Sequence, residues 1–241
     1  MIRALPRFAP ALCALFFVSS AHAEAALDHA TAPLLIAAAE KARANAHNLY
    51  AFTVEHWSSN GEKEATVKLH YDPRLPEGEQ WTVLAPAEDD LDKDAKKALK
   101  KMRKAEMQDN PVLYEKLDEM IEVAEFREET ETEAVFVAQV DEDEFPKDAL
   151  EVYITLNKPQ AYVSKIEVRS KKAFKPMPIA KVEHLIQTQT FAAPHGDEPA
   201  FLATSDGVVE GEAMFKSFKQ LTHQVFSDIE KVGVIDRDAG E

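Results

Sequence analysis

Any chemistry in this chain would come from histidines and carboxylates, because the sequence holds eight histidines, 43 aspartates and glutamates, and a single cysteine. The densest gathering is the stretch FTVEHWSSNGEKEATVKLHY, Phe52–Tyr71, which brings His56, Trp57, His70 and Tyr71 close together in sequence. Two imidazoles on one surface would suit a metal ion. Asn60-Gly61 between two alternating runs is a strong signal for a two-residue hairpin turn. Such a turn sets Ser59 opposite Glu62, His56 opposite Ala65, Val54 opposite Val67, Phe52 opposite Leu69 and Tyr50 opposite Tyr71. His70 then falls on the other side with Ala51, Thr53 and Glu55. The two histidines point to opposite faces and cannot share a metal ion, and one face of the hairpin is apolar.

The other candidates are thinner. His29 and His47 stand at opposite ends of the first helical segment, and His195 sits in a loop beside Gly196-Asp197. There is no Gly-x-Ser-x-Gly elbow, no phosphate-cradling glycine loop and no His-Glu-x-x-His. The acidic run Asp141–Pro146 has proline where a calcium loop needs glycine, and IDRDAG near the end lacks the closing glutamate. With 43 acids, a carboxylate pair in itself carries no information. The reading is a non-enzyme, with no catalytic residue, metal or cofactor.

The first 23 residues have the order of a secretory signal peptide: MIRALPR is basic, FAPALCALFFVSS is a short apolar run, and Ala21-His22-Ala23 fits a cleavage site. Glu24 would begin the mature chain, in the periplasm or outside the cell. Cys13 lies inside the apolar run, so the mature chain would have neither a thiol nor a disulfide. No later window is long and apolar enough for a transmembrane helix. The net charge of −15 disfavours nucleic acid and anionic membrane surfaces as partners and favours solubility, or a basic envelope protein.

The elements that must position these residues follow from periodicity. Thr31 and Pro33 open a helix with Leu34, Leu35, Ala38, Ala39, Ala42 and Ala46 inward. The hairpin and a short strand, Gln80–Pro86, come next. From Asp89 a helix carries Leu91, Ala95, Ala98, Leu99 and Met102 on one stripe, with lysines on its wet face. A second helix begins at Asn110-Pro111 with Leu113, Leu117, Met120 and Ile121 inward. Strands return from about Ala134 and continue nearly to the end, with NKPQ as one turn and Asp206-Gly207 and Gly211 as turn or bulge points. Leu150, Val152, Ile154 and Leu156 share one face, as do Ala180, Val182, His184 and Ile186. The expectation is one α+β domain over residues 24–241. It would be a strongly curved antiparallel sheet with one continuous apolar face, covered by the first helix and the central helical pair.

The order of these elements across about Leu34–Val232 resembles the half-barrel of the periplasmic lipoprotein carriers, the LolA/LolB-like superfamily. The runs that carry the resemblance are YAFTVEHWSSNGEKEATVKLHY and QAYVSKIEVRSKKAFKPMPIAKVEHLIQTQTF. It implies a curved sheet, a concave apolar cavity and a non-enzymatic role. The functional expectation is a periplasmic protein that binds or carries an apolar small molecule, lipid or lipoprotein between sheet and helices. Phe52, Val54, Val67, Leu69, Ile154, Ile166, Val182 and Ile186 would line the cavity. The other expectation is an envelope interaction or stress-regulatory module that docks a protein through its acidic surface.

Overall fold

The computed structural model describes residues 29–104, 112–114, 117–139 and 148–234. The leader, Asn110-Pro111, the acidic run Asp141–Pro146 and IDRDAG lie outside the described residues.

Helix α1 is Ala32–Asn45, and Leu35, Ala38, Ala39 and Ala42 form its buried stripe. Its alanines leave room for a close approach to a flat partner. Thr31 stands at the N-cap without making the expected cap bond. Its hydroxyl instead meets His29 Nδ1 at 2.8 Å. That imidazole stacks on Phe126 with ring centres 3.7 Å apart.

Strands β1 (Asn48–Ser59), β2 (Glu64–Tyr71) and β3 (Trp81–Ala85) come next. Helices α2 (Lys93–Met102) and α3 (Leu117–Glu122) interrupt the strands. Then β4 (Glu125–Glu129), β5 (Glu133–Gln139), β6 (Leu150–Asn157), β7 (Tyr162–Ser170) and β8 (Phe174–Met177) follow. Strands β9 (Ala180–Phe191), β10 (Leu202–Ala213) and β11 (Lys216–Val234) complete the order. All eleven strands join one open, curved antiparallel sheet in the order β3-β2-β1-β11-β10-β9-β7-β6-β5-β4, with β8 on β9. The expected α+β class and half-barrel-like sheet are observed.

Several local expectations are corrected. The β1–β2 turn uses four residues, with the Asn60 N–H donating to the Lys63 carbonyl at 3.1 Å. The Asn60 side chain accepts from the Glu62 and Lys63 N–H groups, an Asx turn that outcompetes the two-residue alternative. The register moves by two, so Phe52 faces Tyr71, Val54 faces Leu69 and His56 faces Val67. An even shift leaves every side chain on its expected face. Strand β9 errs by an odd number. Opposite β10, Glu210 pairs with His184 but Gly211 pairs with Val182, so Glu183 is an extra residue. That bulge turns Leu185 inward, leaves His184 exposed and puts Ile186 on the outer face beside Arg169. Asp206-Gly207 is strand interior, and the chain instead reverses at Met214–Phe215.

The helices differ too. Helix α2 starts at Lys93, where Asp92 caps the N–H groups of Asp94 and Ala95, and Ala98 on the expected stripe is exposed. Helix α3 is described over Leu117–Glu122, and Leu113, expected inside that helix, lies in the non-helical segment 112–114. The central helices do not cover one core as a pair. Helices α1 and α3 share a core with β5, β6, β7 and β9, including Leu35, Leu117, Phe136, Ile154 and Val163. Leu91 and Leu99 at α2, with Val112 and Leu113, cover Tyr50, Phe52, Val54, Leu69 and Tyr71 of β1 and β2. Arg43 of α1 pairs with Asp118 of α3 at 2.5 Å. The edge strand β4 is glutamate-rich, which guards it against pairing with another chain.

A Cβ built on Gly211 would lie 2.1 Å from the Lys181 carbonyl oxygen, where only backbone movement can relieve it. Gly207 meets only the rotatable Thr222 hydroxyl. Gly211→Ala should therefore lower the unfolding free energy by about 1–3 kcal/mol. Gly207→Ala should cost less, as read from urea unfolding midpoints.

Candidate functional site

The face covered by the helices is where a cavity was expected. Of the eight candidate lining residues, seven lie on it, and they divide between the two cores. Phe52, Val54 and Leu69 are buried in one with Val67 at its margin. Ile154, Ile166 and Val182 are buried in the other. Ile186 faces away. Phe52 and Ile154 are 1% and 0% exposed, so they are filled core and not the wall of an open chamber.

The expected continuous apolar face is interrupted between the two cores. Following the ladders across the sheet, His56 pairs with Gln224, Gln224 with Ser205, Ser205 with Gln189, and Gln189 with Ile166. One step along, Ser58 pairs with Thr222, Thr222 with Gly207, Gly207 with Gln187, and Gln187 with Val168. All point to the covered face, because Val54 and Phe226 flank one end of these rows while Ile166 and Val168 flank the other. The middle of the face is thus a polar seam, two residues deep and four strands wide. Phe226 packs at its border against both cores.

Seam residues are only partly buried apart from Ser205. The seam has no formal charge. Among the described residues, the Gln187, Gln189 and Gln224 amides and the Ser205 hydroxyl have no side-chain hydrogen-bond partner. His56 Nδ1 is buried and also unpartnered. Burial lowers the His56 pKa below the usual imidazole value, because the charged ring would lose its water. Sequence reasoning missed this seam because each residue alone reads as an ordinary strand position. Only the pairing of β1 with β11 sets them side by side.

The outer face carries a different constellation. His223 Nδ1 lies 2.6 Å from Asp206 Oδ1. Glu167, buried and only 8% exposed, accepts from Arg169 and from the Thr188 hydroxyl at 3.2 Å. Arg169 lies over the Tyr153 ring, 4.7 Å from its centre. An aspartate that orients a histidine has half of a hydrolytic arrangement. Thr188, which pairs with Asp206 across the ladder, donates its hydroxyl to Glu167 and not to this histidine–aspartate pair. The sequence pointed instead to His195-Gly196-Asp197, which stays an exposed loop. Placing the turn at Met214–Phe215 would have put Asp206 opposite His223.

Among the described residues no group of three or more histidines, cysteines or acids is arranged for a metal ion. A groove of about 620 Å³ beside α2 is lined by Gly78, Leu99 and the charged residues Glu88, Asp89, Lys96, Lys100, Arg103 and Lys104. Within it Arg103 grips Glu88 with two bonds of 2.8 and 2.9 Å, and Lys96 donates to the Asp89 carbonyl at 2.7 Å. No described helix is long and apolar enough to cross a membrane. No protein-family model, curated protein or solved structure matches this chain.

His56 gives a pH signature. Its folded pKa lies below its unfolded value near 6.5, so the unfolded chain binds the extra proton. Stability is full above that unfolded value and declines as pH falls from it toward the lowered folded pKa. The fall in urea midpoint between pH 7.5 and pH 5.5 should be smaller in His56→Gln than in the wild type.

Proposed function

We propose that this protein is a non-enzymatic binding protein that holds an amphipathic ligand along the seam, with an acyl or similar apolar body and an uncharged polar head. The observation that carries the reading is the row His56–Gln224–Ser205–Gln189, polar and without side-chain partners among the described residues, between two apolar cores. A purely apolar ligand fits poorly. Covering unpaired amides with hydrocarbon costs about 1–3 kcal/mol for each group left unsatisfied. A charged head fits poorly as well, because among the described residues no lysine, arginine or acid shares the seam's rows. An ester, amide or hydroxyl head supplies both donors and acceptors to the glutamines. Phe226, Val67 and Val209, all partly buried at the margins, supply apolar contact for the chain. The signal-like leader and the half-barrel resemblance favour the same reading, a periplasmic carrier of acylated molecules.

Delipidated protein should bind a fluorescent monoacylglycerol saturably, and more tightly than the matching fatty acid. Ser205→Trp, which fills the middle of the seam, should weaken that binding at least about tenfold, or 1.4 kcal/mol. Fluorescence titration reads both. Absence of saturable binding by the wild type, or wild-type affinity in Ser205→Trp, would remove the reading.

A further inference from the structure

Two hairpin turns lie side by side at one end of the sheet. Strands β8 and β9 reverse through Pro178-Ile179, and strands β10 and β11 reverse through Met214–Phe215. The Met214 N–H donates to the Ile179 carbonyl at 3.0 Å and ties the two tips together. What they present is apolar and wet. Phe215 is 104% exposed, Met214 62%, Ile179 56% and Met177 36%. These are among the largest exposed apolar side chains of the molecule, and four of them gather at this one place.

The second turn is also strained. Met214 has φ 51° and Phe215 φ 65°, left-handed backbone at both central positions. A two-residue hairpin turn of that form favours Asn-Gly, because a side chain with a bulky Cβ substituent is crowded there. Two large apolar side chains thus occupy the positions where folding favours the smallest, and they point into water. Strained turns that also expose large apolar side chains are found at functional surfaces.

The charge around the tips differs from that of the rest of the chain. Across residues 174–183 and 210–219, Lys175, Lys181, Lys216 and Lys219 stand against Glu183, Glu210 and Glu212, in a chain of net charge −15. Lys181 and Lys219 are paired to Glu183 and Glu210 at 2.9 and 2.7 Å. Lys175 and Lys216 are exposed and have no ion pair among the described residues. Each flanks an apolar tip. The acids elsewhere act weakly at this distance, since the Debye length at physiological ionic strength is about 8 Å.

We propose that the paired tips are a membrane-contact site. Phe215, Met214, Ile179 and Met177 enter the interfacial zone of a phospholipid bilayer, and Lys175 and Lys216 lie level with anionic headgroups. A bilayer fits better than a protein partner. A stable protein interface needs about 800 Å² from each side, and two adjacent two-residue turns present much less. They form a convex point, which a fluid interface accepts without a matching cavity.

The test is cosedimentation with vesicles of mixed phosphatidylethanolamine and phosphatidylglycerol. Wild-type protein should partition onto them, less so onto phosphatidylcholine alone. The double variant M214N/F215G gives the turn its favoured sequence. Its melting temperature should rise while partitioning falls at least tenfold, which separates loss of the surface from loss of the fold. Ser205→Trp should partition as the wild type does, so the proposal stands or falls apart from the seam. No partitioning by the wild type, or undiminished partitioning by M214N/F215G, would overturn it. So would a concentration-dependent self-association, seen by sedimentation and lost in that variant, without vesicle binding.

Discussion

The molecule depends on the pairing of its last strand with its first. Strand β11 runs from Lys216 to Val234 and lies between β1 on one side and β10 on the other. Without it the sheet would part into a three-stranded piece under α2 and a larger piece under α1 and α3. Closing a loop that spans nearly the whole described chain carries an entropic cost that rises slowly with length, but it delays the contact that repays it. The strand also bends as it crosses. Its ladder with β1 slips between Leu49 and Tyr50 and between Ala51 and Thr53, and Asp228 has φ 53°. Bulges of this kind increase local twist, and here they lie at the end of the β1–β11 ladder farthest from the seam.

This splice explains which parts of the architecture were legible in the sequence. The one-sided hairpin could be read from period-2 alternation, and it survived an error in register because that error was even. His184 and Ile186 were misplaced by the single extra residue Glu183, since one residue reverses every face beyond it. A bulge leaves no mark in composition. The Met214–Phe215 turn was invisible for the opposite reason. Its residues contradict turn chemistry, while Asp206-Gly207, which has that chemistry, is held straight by its neighbours in the ladder. Gly207 is suited to that place because Thr222 comes close, and not because the chain turns. The seam needed long-range pairing, for which no local signal exists.

The seam also limits what can occupy it. Apolar burial stabilises by about 25 cal/mol per Å², so the two cores are strongly favoured to close over themselves. They do so fully around Leu35, Leu117, Phe52 and Val112, each at or below 1% exposure. Had the middle of the sheet been apolar too, the helices would have been drawn together over it and one sealed core would result. The glutamines prevent that. Amides in this setting need hydrogen-bond partners, and any occupant that shields them from water must replace those bonds. The polar seam therefore holds the two cores apart and at the same time sets the chemistry of whatever lies between them.

The seam and the exposed tips belong to the same two strands, which couples their geometry. Ser205 and Gln224 of the seam are joined to Met214 and Phe215 of the tip by the uninterrupted β10–β11 ladder. At about 3.3 Å per residue, nine residues of strand place the seam about 30 Å from the turn. With the tip at a bilayer surface, the seam stands above the headgroups by that length, and its distance is set by a rigid hairpin and not by a flexible tether. An acyl chain of ordinary length cannot remain in the bilayer and reach the seam at once. If the seam holds a ligand and the tip meets a bilayer, the two are alternatives for the same acyl chain. The acidic surface elsewhere agrees with this arrangement, because repulsion from anionic headgroups leaves the lysine-flanked tip as the favoured point of approach.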